Sequence, residues 1–168
     1  MLPIIIMIVS FILDGLLTNY LPYLVGDLSW FTPLLTVVSL FMIYPFYRKE
    51  EKKYFIIVFI LGLLYDLFYT NLLFFNAVTF FLVGVLSRGI HKNYEMGYIK
   101  LIFYTIIIIC FYEIFTSSIL WIYHMVPISI TKVIYKISHT LLLNIIYLEI
   151  IYIIIRLLPK KYKNISIN

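Results

Sequence analysis

Four of the eight acidic residues in this 168-residue chain stand inside long apolar runs: Asp14, Asp66, Glu113 and Glu149. An ionised carboxylate at membrane depth must be paired, hydrated or protonated, so each is a candidate for internal pairing, partner or ligand contact, or proton handling. Asp66 has the most informative surroundings. It ends the run Gly62-Leu63-Leu64-Tyr65-Asp66 shortly before a turn of a few residues, and Asn76-Ala77 follows shortly after it. With that turn centred near Thr70, Asp66 and Asn76 face each other across a helical hairpin. Two roles stay open for Asp66: a cap or hydrogen bond that fixes packing inside the hairpin, or a contact to a partner or ligand. For Asp14 and Glu149 the packing role is the simpler reading, and Glu113 is open between the two.

Enzymatic patterns are scarce. There is no Gly-x-Ser-x-Gly elbow, no His-Glu-x-x-His, no Cys-x-x-Cys and no phosphate-cradling glycine loop. His91, His124 and His139 fall in three separate loop or interface regions, which suits exposed histidines better than a metal site. Cys110 lies within an isoleucine-rich run and reads as a small core residue. An intramembrane enzyme built on paired carboxylates would need a nucleophile or metal ligands beside the acids, and none accompanies them. The expectation is no catalytic residue, no metal and no cofactor.

The elements that position the acids follow from composition. The chain is 64% hydrophobic and 12% charged, with a mean hydropathy of +1.04. That is the composition of an integral membrane protein. A single transmembrane domain, 1–168, accounts for the length, as a bundle of six helices at about 20 apolar residues per crossing. The expected spans are 2–18, 33–47, 54–69, 72–90, 101–123 and 140–158. The first follows Met1 without a basic leader region or cleavage site and reads as a retained helix. Asn19, Pro22 and Asp27 then suggest a loop, Trp30 an interfacial anchor, and Thr32-Pro33 an N-cap with proline at the first helical position. Asn71 is the candidate for any left-handed turn residue. Ser129, Lys132, Lys136 and His139 at helical spacing suggest an interfacial amphipathic helix before the sixth span, and Pro159 stops that span before a basic tail. The 16 tyrosines and 14 phenylalanines read as lipid-facing bulk and interfacial anchors.

Charge placement gives an orientation. With six spans, one side holds Arg48, Lys49, Lys52, Lys53, Arg88, Lys92, Lys100, Arg156, Lys160, Lys161 and Lys163, and the other only Lys132 and Lys136. Basic residues concentrate in cytoplasmic loops, so both termini are expected in the cytoplasm. The net charge of +5 then belongs to topology and anionic lipid headgroups. No soluble basic module is present to bind nucleic acid. Asp14, Asp66 and Glu113 each lie twelve residues after the expected helix starts Leu2, Tyr54 and Leu101, about 18 Å along the axis. They should share one level in the outer half of the bilayer, with Glu149 nearer the middle. No arginine or lysine sits at that depth, which leaves Lys132 and Lys136, protonation, or a group from another protein to neutralise them.

The Gly62-x-x-x-Asp66-Leu67 run, the short turn, Asn76-Ala77, Gly84, the proline-led Pro33-Leu34-Leu35 helix and the size and span count resemble the bacterial rod shape-determining MreD family over nearly the whole chain. The family's turn usually contains glycine, whereas Thr70-Asn71-Leu72-Leu73 stands here. The resemblance implies a non-enzymatic component of the lateral cell-wall elongation machinery in the bacterial cytoplasmic membrane. Its partners would be the membrane helix of MreC and, directly or indirectly, MreB and the peptidoglycan synthases. Asp66 and Asn76 would form the core of the site, Asp14 and Glu113 would stand next to it, and the basic loop Arg48, Lys49, Lys52 and Lys53 would be a cytoplasmic contact or a topology anchor. The alternative is the substrate-binding component of an energy-coupling-factor vitamin transporter. Such proteins dock through alanines along the first helix, and Ala77 is the one alanine of this chain.

Overall fold

The computed structural model describes residues 2–25, 33–70, 72–93, 97–124 and 130–157. These residues form α1 (Leu2–Val25), α2 (Leu35–Ile43), α3 (Glu51–Tyr65), α4 (Phe75–Asn93), α5 (Tyr98–Ile122) and α6 (Ile130–Leu157), with no strand among them. Four stretches, Leu2–Tyr20, Glu51–Thr70, Tyr98–Ile122 and Val133–Leu157, are long and apolar enough to cross a membrane. Leu35–Tyr47 is apolar but shorter. α4 has 19 residues and carries His91 and Lys92 in its last turn, which lowers its apolar character.

The short helix is the centre of the bundle. All nine residues of α2, from Leu35 to Ile43, are buried, and it packs against α1, α4, α5 and α6. A helix that is apolar on every side is stable only where other helices surround it. Its end is set by Pro45, which has no N–H to continue the α-helical ladder. The chain tightens there into a 3₁₀ turn, Tyr44–Tyr47.

α3 and α4 form the most extensive pair in the bundle. Gly62 makes that approach possible: a Cβ there would lie 2.5 Å from the Ala77 Cα and 2.7 Å from the Asn76 carbonyl oxygen. Small residues let membrane helices come close enough for their backbones to touch. After Tyr65 the chain widens into a π-helical turn, Asp66–Thr70, a feature frequent at functional sites.

Several boundaries differ from the sequence expectation. α1 runs through Asn19 and Pro22 to Val25, since a proline in the last turn leaves the bonds of the preceding turns intact. Pro33 and Leu34 precede α2 rather than opening it, and no side chain of Leu34 caps the helix. α3 starts at Glu51, since charged residues are tolerated in a first turn that projects beyond the apolar layer. Among the described residues of the α3–α4 turn, Phe74 is left-handed, with φ 66°. The amphipathic segment is no separate interfacial helix. It is the first part of α6, which runs unbroken from Ile130 to Leu157 and contains neither glycine nor proline. Trp30, Thr32, Asn71, Ser129, Pro159 and the basic tail lie outside the described residues.

Gly62→Ala is expected to destabilise the protein by about 1–3 kcal/mol through overpacking against α4. Gly89, where an added Cβ meets nothing within 4 Å, tolerates the same change within about 1 kcal/mol. Reversible unfolding in mixed detergent micelles measures both, and equal effects would contradict the close approach at Gly62.

Candidate functional site: a buried polar layer

The first N–H groups of any α-helix have no partner within the helix, and where water is excluded they must be satisfied by the rest of the protein. Asp66 does this for α4. Its Oδ1 accepts the Asn76 backbone N–H at 2.7 Å, the Asn76 side-chain amide at 3.0 Å and the Thr70 hydroxyl at 3.1 Å, while Oδ2 accepts the Ala77 N–H at 3.1 Å. The Asn76 amide also donates to Thr70 Oγ1 at 3.2 Å, and the Tyr112 hydroxyl on α5 donates to Asn76 Oδ1 at 2.9 Å. Asp66 and Asn76 are thus in direct contact across the hairpin, as their spacing suggested.

Asp14 does the same for α2. Its two oxygens accept the Leu35 and Thr36 N–H groups at 2.8 and 2.9 Å. Asn144 on α6 accepts the Leu34 N–H at 2.9 Å and donates to the Thr140 carbonyl at 2.7 Å. Both aspartates therefore act as caps supplied from the preceding helix. The partial positive charge at each helix start complements the carboxylate, so neither acid requires a lysine.

Glu113 is partnered differently. It is fully buried, with Lys136 Nζ 2.7 Å from Oε2 and Thr140 Oγ1 3.5 Å from Oε1. Of the neutralising groups considered from sequence, Lys136 is thus used by this acid, and the Lys132 side chain lies outside the described residues. Tyr112, adjacent in sequence to Glu113, ties α5 to the hairpin through Asn76. A line of ring contacts, Phe11–Tyr65 at 6.0 Å, Tyr65–Phe80 at 5.2 Å and Phe80–Tyr112 at 6.2 Å, packs α1, α3, α4 and α5 together. The structure thus makes Asp14, Asp66, Asn76 and Glu113 one set of buried, internally partnered polar side chains, although α3 and α5 begin three residues earlier than expected. Glu149 is not part of it. It accepts the hydroxyl of Tyr98, the first residue of α5.

Asn144, Tyr112 and Thr70 were missed from sequence. Asn144 had a usable signal, since it is an amide within the apolar run Leu141-Leu142-Leu143-Asn144-Ile145-Ile146. Tyr112 had none among so many tyrosines. A further cross-bundle bond joins Ser10 and Tyr147 at 2.7 Å.

The basic loop sits at one end of the bundle. Glu51 gathers Arg88 at 3.0 Å, Lys92 at 2.7 Å and the Tyr44 hydroxyl at 3.1 Å, and Arg48 donates to the His91 carbonyl. Lys53 pairs with Glu50 at 2.8 Å on the surface, a contact of little energetic weight. Lys49 and Lys52 are exposed. His91 is buried rather than exposed, with its ring against Phe41 at 4.6 Å and Tyr44 at 5.5 Å and Nδ1 2.9 Å from the Ser87 carbonyl oxygen. Burial follows from its place at the α2–α4 contact, where a loop position had been expected. Among the described residues no three His, Cys, Asp or Glu side chains converge as a metal site requires.

Asp66→Leu leaves the Asn76 and Ala77 N–H groups without an acceptor and is expected to destabilise the protein by about 2–5 kcal/mol, whereas Asp66→Asn, which keeps one acceptor oxygen, loses about 1–3 kcal/mol. Detergent unfolding of the two variants checks the order. Equal stability of wild type and Asp66→Leu would show that the cap carries no weight.

Comparison with curated proteins and with solved structures gives no match. Among protein families, the model for rod shape-determining protein MreD matches residues 1–162. With its apolar helices and its capped α3–α4 hairpin, this multi-pass membrane chain belongs to the MreD family of rod shape-determining proteins.

Proposed function

We propose that the chain is a non-enzymatic scaffold of the bacterial cell-shape and lateral peptidoglycan-elongation complex, and that it acts by holding the membrane helix of MreC. It crosses the cytoplasmic membrane six times, with α2 and α4 as the shorter crossings and both termini in the cytoplasm. MreB and the peptidoglycan synthases engage it directly or through MreC, and lipids cover the rest of its surface.

The observation that carries this reading is family membership together with the use of the polar layer. Asp14 and Asp66 are spent on closing helix starts inside the bundle. What the chain offers outward is large apolar side chains along its long helices, such as Ile4, Ile8 and Ile12 on α1, Ile56 and Ile60 on α3, and Ile146, Ile150 and Ile153 on α6. Such faces suit lateral contact with lipid and other membrane helices, where packing rather than water exclusion drives association. The contacts that join Arg48 to α4 and Glu51 to Arg88 and Lys92 gather basic residues at one end, which supports a cytoplasmic assignment for that end. The vitamin-transporter alternative finds no support in the family match.

The test is complementation in a rod-shaped bacterium depleted of its own MreD-family protein, with co-purification from mildly solubilised membranes. The wild-type chain is expected to restore rods and recover MreC. Asp66→Leu, at equal membrane abundance, should reduce MreC recovery by at least about tenfold, equivalent to about 1.4 kcal/mol, because losing the α4 cap distorts the faces that the hairpin presents. Restored rods without any MreC recovery would overturn the proposed contact.

A further inference from the structure

Glu113 differs from the other two acids of the layer in what holds it. Asp66 receives four hydrogen-bond donors and Asp14 two backbone N–H groups, all fixed by the fold. No helix start is aimed at Glu113, because α6 runs continuously past it. Thr140 has one hydroxyl proton, which goes to the Lys136 carbonyl at 2.7 Å and leaves Glu113 Oε1 at 3.5 Å. The 2.7 Å contact between Lys136 Nζ and Oε2 is an ion pair without hydrogen-bond alignment. Among the described residues, the buried Glu113 charge thus depends on one lysine side chain.

That side chain comes from the surface. The Lys136 side chain is 45% exposed while that of Glu113 is 0%. Ile130, Ile134 and Tyr135, earlier in α6, are exposed as well, and Thr140 is the first fully buried residue among those of α6 whose burial is described. The route from the bundle surface to Glu113 therefore follows the lysine stem, as a snorkelling ammonium does in reverse.

Resting on the scaffold reading above, we propose that Glu113 is an exchangeable cation site: it takes an ammonium or guanidinium side chain carried by a membrane-embedded segment of a partner protein, and Lys136 is the internal cation that occupies the site until the partner arrives. A cationic residue in a membrane segment needs a counter-ion at its own depth, and a carboxylate that one lysine holds among the described residues can supply one without breaking any hydrogen bond of the α2 or α4 caps. Lysine suits a releasable role, since its ammonium is a point charge on a flexible stem, whereas arginine would grip the carboxylate with two parallel bonds.

The probe is a polyleucine single-span peptide with one arginine placed about a third of the way in from one end, compared with the same peptide bearing leucine there. Each is titrated by energy transfer against the full chain in phosphatidylglycerol nanodiscs, which contain no amino lipid to compete. Preference for the arginine peptide should be at least about tenfold in Lys136→Met, smaller in wild type, smaller again in Lys136→Arg, and absent in Glu113→Gln. Thermal unfolding of every variant confirms the fold. If Lys136→Met does not fold, the fall from wild type to Lys136→Arg carries the test. No preference in any form with Glu113 intact, or a preference that persists in Glu113→Gln, would overturn the proposal. The peptide has no native partner sequence, so that result would leave the scaffold reading to its own co-purification test.

Discussion

A helix that starts inside a medium without water must have acceptors brought to its first N–H groups, and this protein starts two of its helices that way. α2 begins among buried residues and α4 buries Asn76 and Ala77 in its first turn, and each receives a carboxylate from the helix before it: Asp14 for Leu35 and Thr36, Asp66 for Asn76 and Ala77. The rest of the bundle is arranged so that these carboxylates arrive. Gly62 lets α3 approach α4, the π-helical turn puts Thr70 beside Asp66, and Asn144 reaches from α6 to satisfy Leu34.

This matters more in lipid than it would in water. Between membrane helices the apolar driving force is weak, because a lipid tail is as good a neighbour as a leucine. Close packing and internal polar closure therefore decide which helices pair. The three helical hairpins follow one plan, with an acid on the first helix of each, and the third departs from it. α6 is continuous, so Glu113 has no helix start to cap and takes Lys136 in its place. The same logic that makes two acids structural leaves the third one replaceable.

Much of this was legible in the residues. Acids stand out in an apolar chain, and the Asp66-to-Asn76 spacing across a short turn put the two side chains in contact before any coordinates. The partners of Asp14 and Asp66 were not legible, because backbone N–H groups have no letter in a sequence. The central place of α2 was hidden as well: where every helix is apolar on all sides, hydrophobic periodicity no longer tells which one is inside. Phe74 in a left-handed conformation and His91 in a buried aromatic contact both run against residue preference, and tertiary packing set them. The continuity of α6 could have been read from its lack of glycine and proline, against the pull of its amphipathic first turns.

The most direct test of the capping account is amide hydrogen exchange by NMR in nanodiscs, read at Leu35, Thr36, Asn76 and Ala77 in wild type and in Asp14→Leu. All four amides should be protected in wild type, and Asp14→Leu should expose Leu35 and Thr36 while Asn76 and Ala77 stay protected. Unchanged protection of Leu35 and Thr36 in the variant, or free exchange of all four amides in wild type, would contradict the claim that these carboxylates hold the two buried helix starts.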